Sequence, residues 1–183
     1  MQKDLQEHYK KELSKKLLTE LGLKNAHEVP KIVKVVVNVG IGKFYNTVSK
    51  DFKPIEENIA LITGQKPTVR PARVSVSNFK LRAGTPNGLT VTLRGKKMYD
   101  FISKLVNVAL PRVRDFRGIP VNSFDKQGNY SLGIRDHTVF PEARVDDESK
   151  SFSLQITIVL NSKEKEHSFL LLKELGFPFK KVS

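Results

Sequence analysis

The side chains of this sequence best suited to chemistry are cations, and their setting suits the holding of phosphate. Between Gly64 and Arg82 the chain reads GQKPTVRPARVSVSNFKLR, so Lys66, Arg70, Arg73, Lys80 and Arg82 alternate with Gln65, Thr68, Ser75, Ser77 and Asn78. Arginine offers a planar fork to phosphate, and short hydroxyl and amide side chains donate to phosphate oxygens or to a ribose hydroxyl. Residues 58 to 99 carry 8 basic and no acidic side chains, whereas residues 1 to 57 carry 11 and 8 and residues 100 to 183 carry 13 and 11. Eight of the 13 excess positive charges therefore fall where nothing repels an anion. A chain that is basic only for solubility mixes its signs, so this distribution asks for a polyanionic partner. The plainer alternative is a solvated basic loop. Phe79 is the lone aromatic residue in the run, so stacking on single-stranded bases is not the main mode, and folded RNA approached through its backbone fits better.

Other chemistries find less support. The four histidines, His8, His27, His137 and His167, never stand at a metal-ligand spacing, and cysteine is absent, so no metal or other cofactor is expected. Gly40-Ile41-Gly42-Lys43 follows an apolar run but lacks the third glycine of a dinucleotide fingerprint and the second half of a P-loop, and reads as a turn. Asp146, Asp147 and Glu148 lack the spacing of a calcium loop and read as a solvated acidic stretch. No enzymatic constellation emerges. An anionic membrane surface is the other polyanion to weigh, but the first amphipathic segment has its lysines diluted by Asp4, Glu7, Glu12 and Glu20. With no run of 18 apolar residues, no apolar leader and no cysteine, the expectation is a cytoplasmic protein that neither spans nor anchors to a membrane.

The elements that must position the cations follow from periodicity. Leu5, Tyr9, Leu13, Leu17 and Leu21 recur every four residues and predict an amphipathic helix ended by Gly22. Past Pro30, Val33, Val35, Val37 and Val39 alternate with Lys34 and Asn38, which predicts a strand with one buried and one mixed face. A helix from about Asp51 to Ile62 follows, with Thr63-Gly64 as its end. Leu89, Val91 and Leu93 alternate with Thr90, Thr92 and Arg94 in a second patterned strand. A helix from Met98 to Ala109 stops at Pro111. Strands are expected at Tyr130–Ile134 and Phe152–Leu160, and a last helix runs through Leu170, Leu171 and Leu175 to Gly176. With 39% hydrophobic residues the chain can bury a substantial core as one domain. Strands with one polar face predict a two-layer α+β fold, an antiparallel sheet with helices on one face and the other left open. Asp115 and Asp136 read as partners of nearby arginines, and Phe177 and Phe179 as core packing.

Several motifs, ITGQKP at Ile62–Pro67, VTLRG at Val91–Gly95, PRVRDFRG at Pro111–Gly118, SFDKQGNYSLG at Ser123–Gly133, Phe140-Pro141-Glu142 and FPFK at Phe177–Lys180, occur in an order that resembles the bacterial large-subunit ribosomal protein L-five family, which binds 5S ribosomal RNA. The likeness covers essentially the whole chain, 1–183, with a basic protruding loop at about 70–88. It implies a structural constituent of the large subunit that holds 5S ribosomal RNA in the central protuberance. Lys34, Asn38, Gln65, Lys66, Thr68, Arg70, Thr90, Thr92 and Arg94 are the ribosomal-RNA-facing residues it implies. The loop Arg73–Gly88 would touch transfer RNA in the peptidyl site through Arg73, Ser77, Lys80 and Arg82. Arg112, Arg114 and Arg117, with Glu142, Asp146 and Asp147, would form a bridge to a protein of the small-subunit head. Neighbouring large-subunit proteins and large-subunit RNA complete the implied partners. The chain departs from the family at Gly84-Thr85-Pro86-Asn87-Gly88, where Thr85 and Asn87 would make a smaller, more polar loop tip, and Val182-Ser183 extend past the usual ending. A basic RNA-binding module outside the ribosome, or a binder of anionic membranes, remains the alternative reading.

Overall fold

The computed structural model describes residues 5–42, 51–79, 81–143, 151–162 and 164–180. The first helical stretch begins with α1 (Leu5–His8), passes through a π-helical turn at Tyr9–Leu13 and continues as α2 (Ser14–Glu20). That turn answers the sequence. A strict four-residue apolar repeat outruns the 3.6 residues of an α-turn, and one wider turn brings Leu13 and Leu17 back onto the buried side. Gly22 (φ 61°) then ends the stretch.

Strand β1 (Ile32–Gly40) leads through residues outside the described set to α3 (Lys53–Thr63), which carries Pro54 in its first turn and Gly64 in the left-handed conformation at its end. Strands β2 (Thr68–Pro71) and β3 (Pro86–Leu93) form an antiparallel pair, and α4 (Gly95–Lys104) follows, drawn out by a second π-turn at Leu105–Ala109. Strands β4 (Tyr130–Ile134) and β5 (Leu154–Leu160) and helix α5 (Lys165–Glu174) complete the chain. The five strands make one open antiparallel sheet in the order β2-β3-β1-β5-β4, giving the expected α+β fold. Strand β2, absent from the periodicity, is too short and too polar to show a pattern.

The alternation is strict where it matters. Val35, Val37 and Val39 on β1, Leu89, Val91 and Leu93 on β3, and Leu154, Ile156, Ile158 and Leu160 on β5 are all buried. Val33 departs from the expected face and is 43% exposed, because the buried positions step three residues from Ile32 to Val35 before the two-residue period begins.

The chain divides into two compact units, Met1–Val35 with Arg94–Leu132 and Thr157–Ser183, and Val36–Leu93 with Gly133–Ile156. In the first, Tyr9 donates its hydroxyl to the Pro30 carbonyl at 2.8 Å and its ring lies 6.2 Å from that of Tyr99. Asp125 organises a tight loop by accepting from the backbone of Gln127 and Asn129 and from the Asn129 side chain, each at 2.8 Å. Burial alone would raise the Asp125 carboxyl; these bonds hold it below its usual range. Asn129 in turn accepts from Leu160 at the end of β5. Gly118-Ile119 pairs with Phe179-Lys180 through Ile119 N–H to Pro178 O (2.8 Å) and Lys180 N–H to Ile119 O (3.0 Å). Phe179 joins an aromatic cluster with Phe124, Tyr130 and Phe169, and Phe177 is buried, so both terminal phenylalanines pack the core. In the second unit, His137 is buried against Phe152 with ring centroids 4.0 Å apart, and its Nδ1 accepts from the Phe152 backbone. Asp136, expected to pair with arginine, instead caps the turn at His137–Val139 by accepting from Thr138 N–H and lies 3.6 Å from His137.

Two consequences are measurable. A Cβ at Gly128 (φ 77°) would stand 2.6 Å from the Ser162 carbonyl and 2.8 Å from Ser168 Oγ, whereas one at Gly22 would meet nothing within 4 Å. Gly128→Ala should therefore lower unfolding stability by roughly 3 kcal/mol in a urea titration and Gly22→Ala by about 1 kcal/mol. Burial raises the Tyr9 and Tyr130 hydroxyls from the usual 10.0 to about 12. The fold thus favours the protonated phenol, so this stabilisation is intact below pH 10 and is lost as pH climbs from there to about 12. An ultraviolet phenolate titration should show these two tyrosines ionising late and together with unfolding.

Candidate nucleic-acid interface

Sequence chemistry and strand geometry meet at the β2–β3 pair. Its register sets Thr68 opposite Thr90, Val69 opposite Leu89 and Arg70 opposite Gly88, with an irregularity between Arg70 and Pro71 before Pro71 faces Pro86. Neither proline has an N–H to extend the ladder, so regular pairing ends there. With Leu89, Val91 and Leu93 buried, the period of two turns Thr90 and Thr92 to the opposite side, where both are half-exposed. Thr90 donates to Asn38 Oδ1 on β1 at 2.8 Å. Asn38 is thereby held in mid-strand as part of a polar cross-strand row, not as a turn cap. The Thr92 hydroxyl makes no hydrogen bond among the described residues.

The turn from α3 into β2 places the next candidates. Thr63 Oγ1 donates to the carbonyls of Ile59 and Gln65, Gly64 supplies the left-handed turn, and Pro67 is buried. Gln65 donates its amide to the Thr92 carbonyl at 3.3 Å, which ties that turn to β3. Lys66 reaches Glu56 Oε1 at 3.5 Å while its own side chain stays 84% exposed. Such a loose, wet pair is worth well under 1 kcal/mol and leaves the ammonium available to a stronger anion. Thr68, Arg70 and Arg94 are exposed, and among the described residues neither arginine pairs with a carboxylate. Arg94 stands in extended conformation just before α4; Lys34, half-buried on β1, belongs with Arg94 to the first unit, while the remaining candidates lie in the second.

Beyond β2 the chain makes a closed excursion. Ala72 N–H donates to Thr85 O and Gly84 N–H to Ala72 O, both at 2.9 Å, forming a neck. Farther out, Val76 pairs with Leu81, and Ser75 Oγ accepts from Ala83 N–H. The apex is the turn Ser77–Phe79. Thr85 and Asn87 are therefore not tip residues, contrary to the reading of the sequence. Thr85 closes the neck, and Asn87 lies within β3, where its carbonyl accepts from Ile41 N–H and its side chain fills the space that a Cβ on Gly42 would need. Arg73 and Arg82 are exposed on the excursion with no carboxylate partner among the described residues, and Ser77 is exposed. Lys80 lies outside the described residues. The excursion also presents apolar surface: Val74 is 69% and Phe79 74% exposed.

Profiles of two protein families match the chain in tandem: Ribosomal protein L5 over residues 25–82 and the ribosomal L5P family C-terminus over residues 86–179. The chain belongs to the ribosomal protein L5 family. Similar relatives are the large ribosomal subunit proteins uL5 of Pelagibacter ubique, 50% identical over 96% of this chain and 95% of the relative, and of Halothermothrix orenii, 49% identical over 96% and 97%. That of Thermotoga maritima is 48% identical over 97% and 96%. As a member of the L5 family the chain is a ribosomal protein and not an enzyme.

Much of what makes the L5 motifs recognisable is fold-making. ITGQKP builds the α3–β2 turn, SFDKQGNYSLG the Asp125 loop, and Ile119, the residue after PRVRDFRG, pairs with Phe179 of FPFK. The residues implied for a bridge divide between the units. Arg112, Arg114 and Arg117 are exposed in the first, without a carboxylate partner among the described residues. Glu142 is exposed in the second, and Asp146 and Asp147 fall outside the described residues. The two threonines of β3 separate structural from available hydroxyls. Thr90→Val, which strands Asn38, should cost about 1 kcal/mol in chemical unfolding, and Thr92→Val should stay within about 0.5 kcal/mol of wild type.

Proposed function

We propose that this chain is a structural constituent of the large ribosomal subunit that holds 5S ribosomal RNA in the central protuberance as a single binding domain. The observation that carries the reading is the pairing of an uncharged polar row, Asn38, Thr90 and Thr92, with arginines that no described carboxylate neutralises. Such a surface suits the backbone of folded RNA. Hydroxyls and amides meet ribose 2′-hydroxyls and phosphates, and Lys34, Lys66, Arg70 and Arg94 supply the salt-dependent attraction. Gln65 serves mainly by fixing the turn that presents Lys66 and Thr68. The large-subunit membership named for the relatives supports the same placement.

In this reading the excursion between β2 and β3 reaches transfer RNA in the peptidyl site, with Arg73, Arg82 and Lys80 against phosphates and Ser77 at the apex. The same reading assigns Arg112, Arg114, Arg117, Glu142, Asp146 and Asp147 to an intersubunit bridge with a protein of the small-subunit head. Large-subunit RNA and neighbouring large-subunit proteins complete the surroundings.

Binding of the purified chain to a 5S ribosomal RNA transcript, followed over a salt series, tests the core of this reading. Affinity should fall steeply, with each neutralised phosphate contributing about 0.7–0.9 to the log–log slope. Lys66→Ala and Arg94→Ala should each weaken binding and lower the slope by about one contact, whereas Arg82→Ala should spare 5S RNA and disturb transfer-RNA contact on assembled ribosomes. A flat salt dependence, or equal losses for all three variants, would defeat it.

A further inference from the structure

A concavity of about 470 Å³ opens in the second unit at the ends of β1, β5 and β4, three strands adjacent in the sheet. Asn38, Gly40, Gly133, Arg135, Ser153 and Gln155 line it. The strand period explains the company. Val39, Ile134 and Leu154 are buried, so their neighbours along each strand are turned to the uncovered side.

The two glycines are the telling residues. Glycine inside or at the end of a strand costs about 0.5–1 kcal/mol relative to alanine, and here the fold gives no return. Neither Gly40 nor Gly133 has a positive φ. A Cβ on either would meet nothing within 4 Å. This contrasts with Gly118 and Gly128, where neighbouring atoms forbid a side chain. Bare strand backbone with open space above it marks a place where another molecule approaches closely. The rim says what kind. It offers one guanidinium, two amides and a hydroxyl, Arg135 has no carboxylate partner among the described residues, and no described acidic residue lines the space. Asn38 also links the concavity to the Thr90 row.

We propose that this concavity seats one nucleotide of the bound RNA, its phosphate on the Arg135 fork and its ribose or base edge against Asn38, Ser153 and Gln155, with the sugar lying on the bare backbone of Gly40 and Gly133. The volume is within the range of small-ligand sites, about 300–1,000 Å³, and a planar fork is the group that meets phosphate with two bonds. The proposal rests on the 5S RNA reading above and extends its surface onto β4 and β5, which none of the earlier candidates occupy.

Gly133→Val and Arg135→Gln in the full chain separate the two. Valine suits a strand and has room at position 133, so thermal unfolding should be unchanged or later. If the concavity seats a nucleotide, Gly133→Val should weaken 5S ribosomal RNA binding by tenfold or more. Arg135→Gln should weaken it several-fold and lower the salt slope by about one phosphate. Wild-type affinity for both variants, alongside losses for Lys66→Ala and Arg94→Ala, would overturn this proposal and leave the 5S reading standing. Failure of the wild-type chain itself to bind the transcript would remove the reading beneath it, and the proposal with it.

Discussion

The structure depends on the period of two. Once Val35, Val37 and Val39 and Leu89, Val91 and Leu93 are committed to the apolar side, the residues between them have no choice of side. Burying an unpaired hydroxyl would cost several kcal/mol, so Asn38 and Thr90 bond each other and Thr92, which has no hydrogen bond among the described residues, stays half-exposed. The hydrophobic pattern therefore determines the polar surface without any selection of polar residues for shape. A register slip of one residue would bury the threonines and expose the valines together.

Charge works on a different scale. The carboxylate-free stretch of residues 58–99 contains α3's second half, both strands of the pair and the excursion between them. Acidic side chains elsewhere satisfy local needs: Asp125 and Asp136 organise turns, and Glu7 and Glu174 pair with Lys11 and Lys16. Within the basic stretch Lys66 meets Glu56, which lies just outside it. Arg70, Arg73, Arg82 and Arg94 have no carboxylate partner among the described residues and keep their charge for an external anion. Their long stems hold no compensating charge nearby, so their mutual repulsion is relieved chiefly by what they bind.

Helices and patterned strands were legible because a long apolar repeat is a direct readout of burial, and the tandem family matches agree with the resemblance carried by the motifs. What escaped were features set by contacts between distant residues. The π-turns left only a four-residue spacing that looks like an ordinary helix. Strand β2, four residues that follow Pro67 and end on Pro71, has no room for a period to declare itself. The neck at Ala72–Thr85 depends on backbone bonds that no side chain advertises, so in sequence Asn87 looks like a tip residue although it belongs to a strand. Gly133 and Gly118 look alike in a sequence; only their neighbours separate a glycine that must be small from one that merely is.

Strand β2 lies at the rim of the sheet, with no described strand beyond it. Sheet rims of this kind invite edge-to-edge association between molecules. Here the rim is only four residues long, bracketed by Pro67 and Pro71, and carries the positive charge of Arg70. A second copy trying to zip alongside would find few donors to pair and a like charge in the way. While its cations are unoccupied, the chain thus carries its own guard against polymerising along this edge.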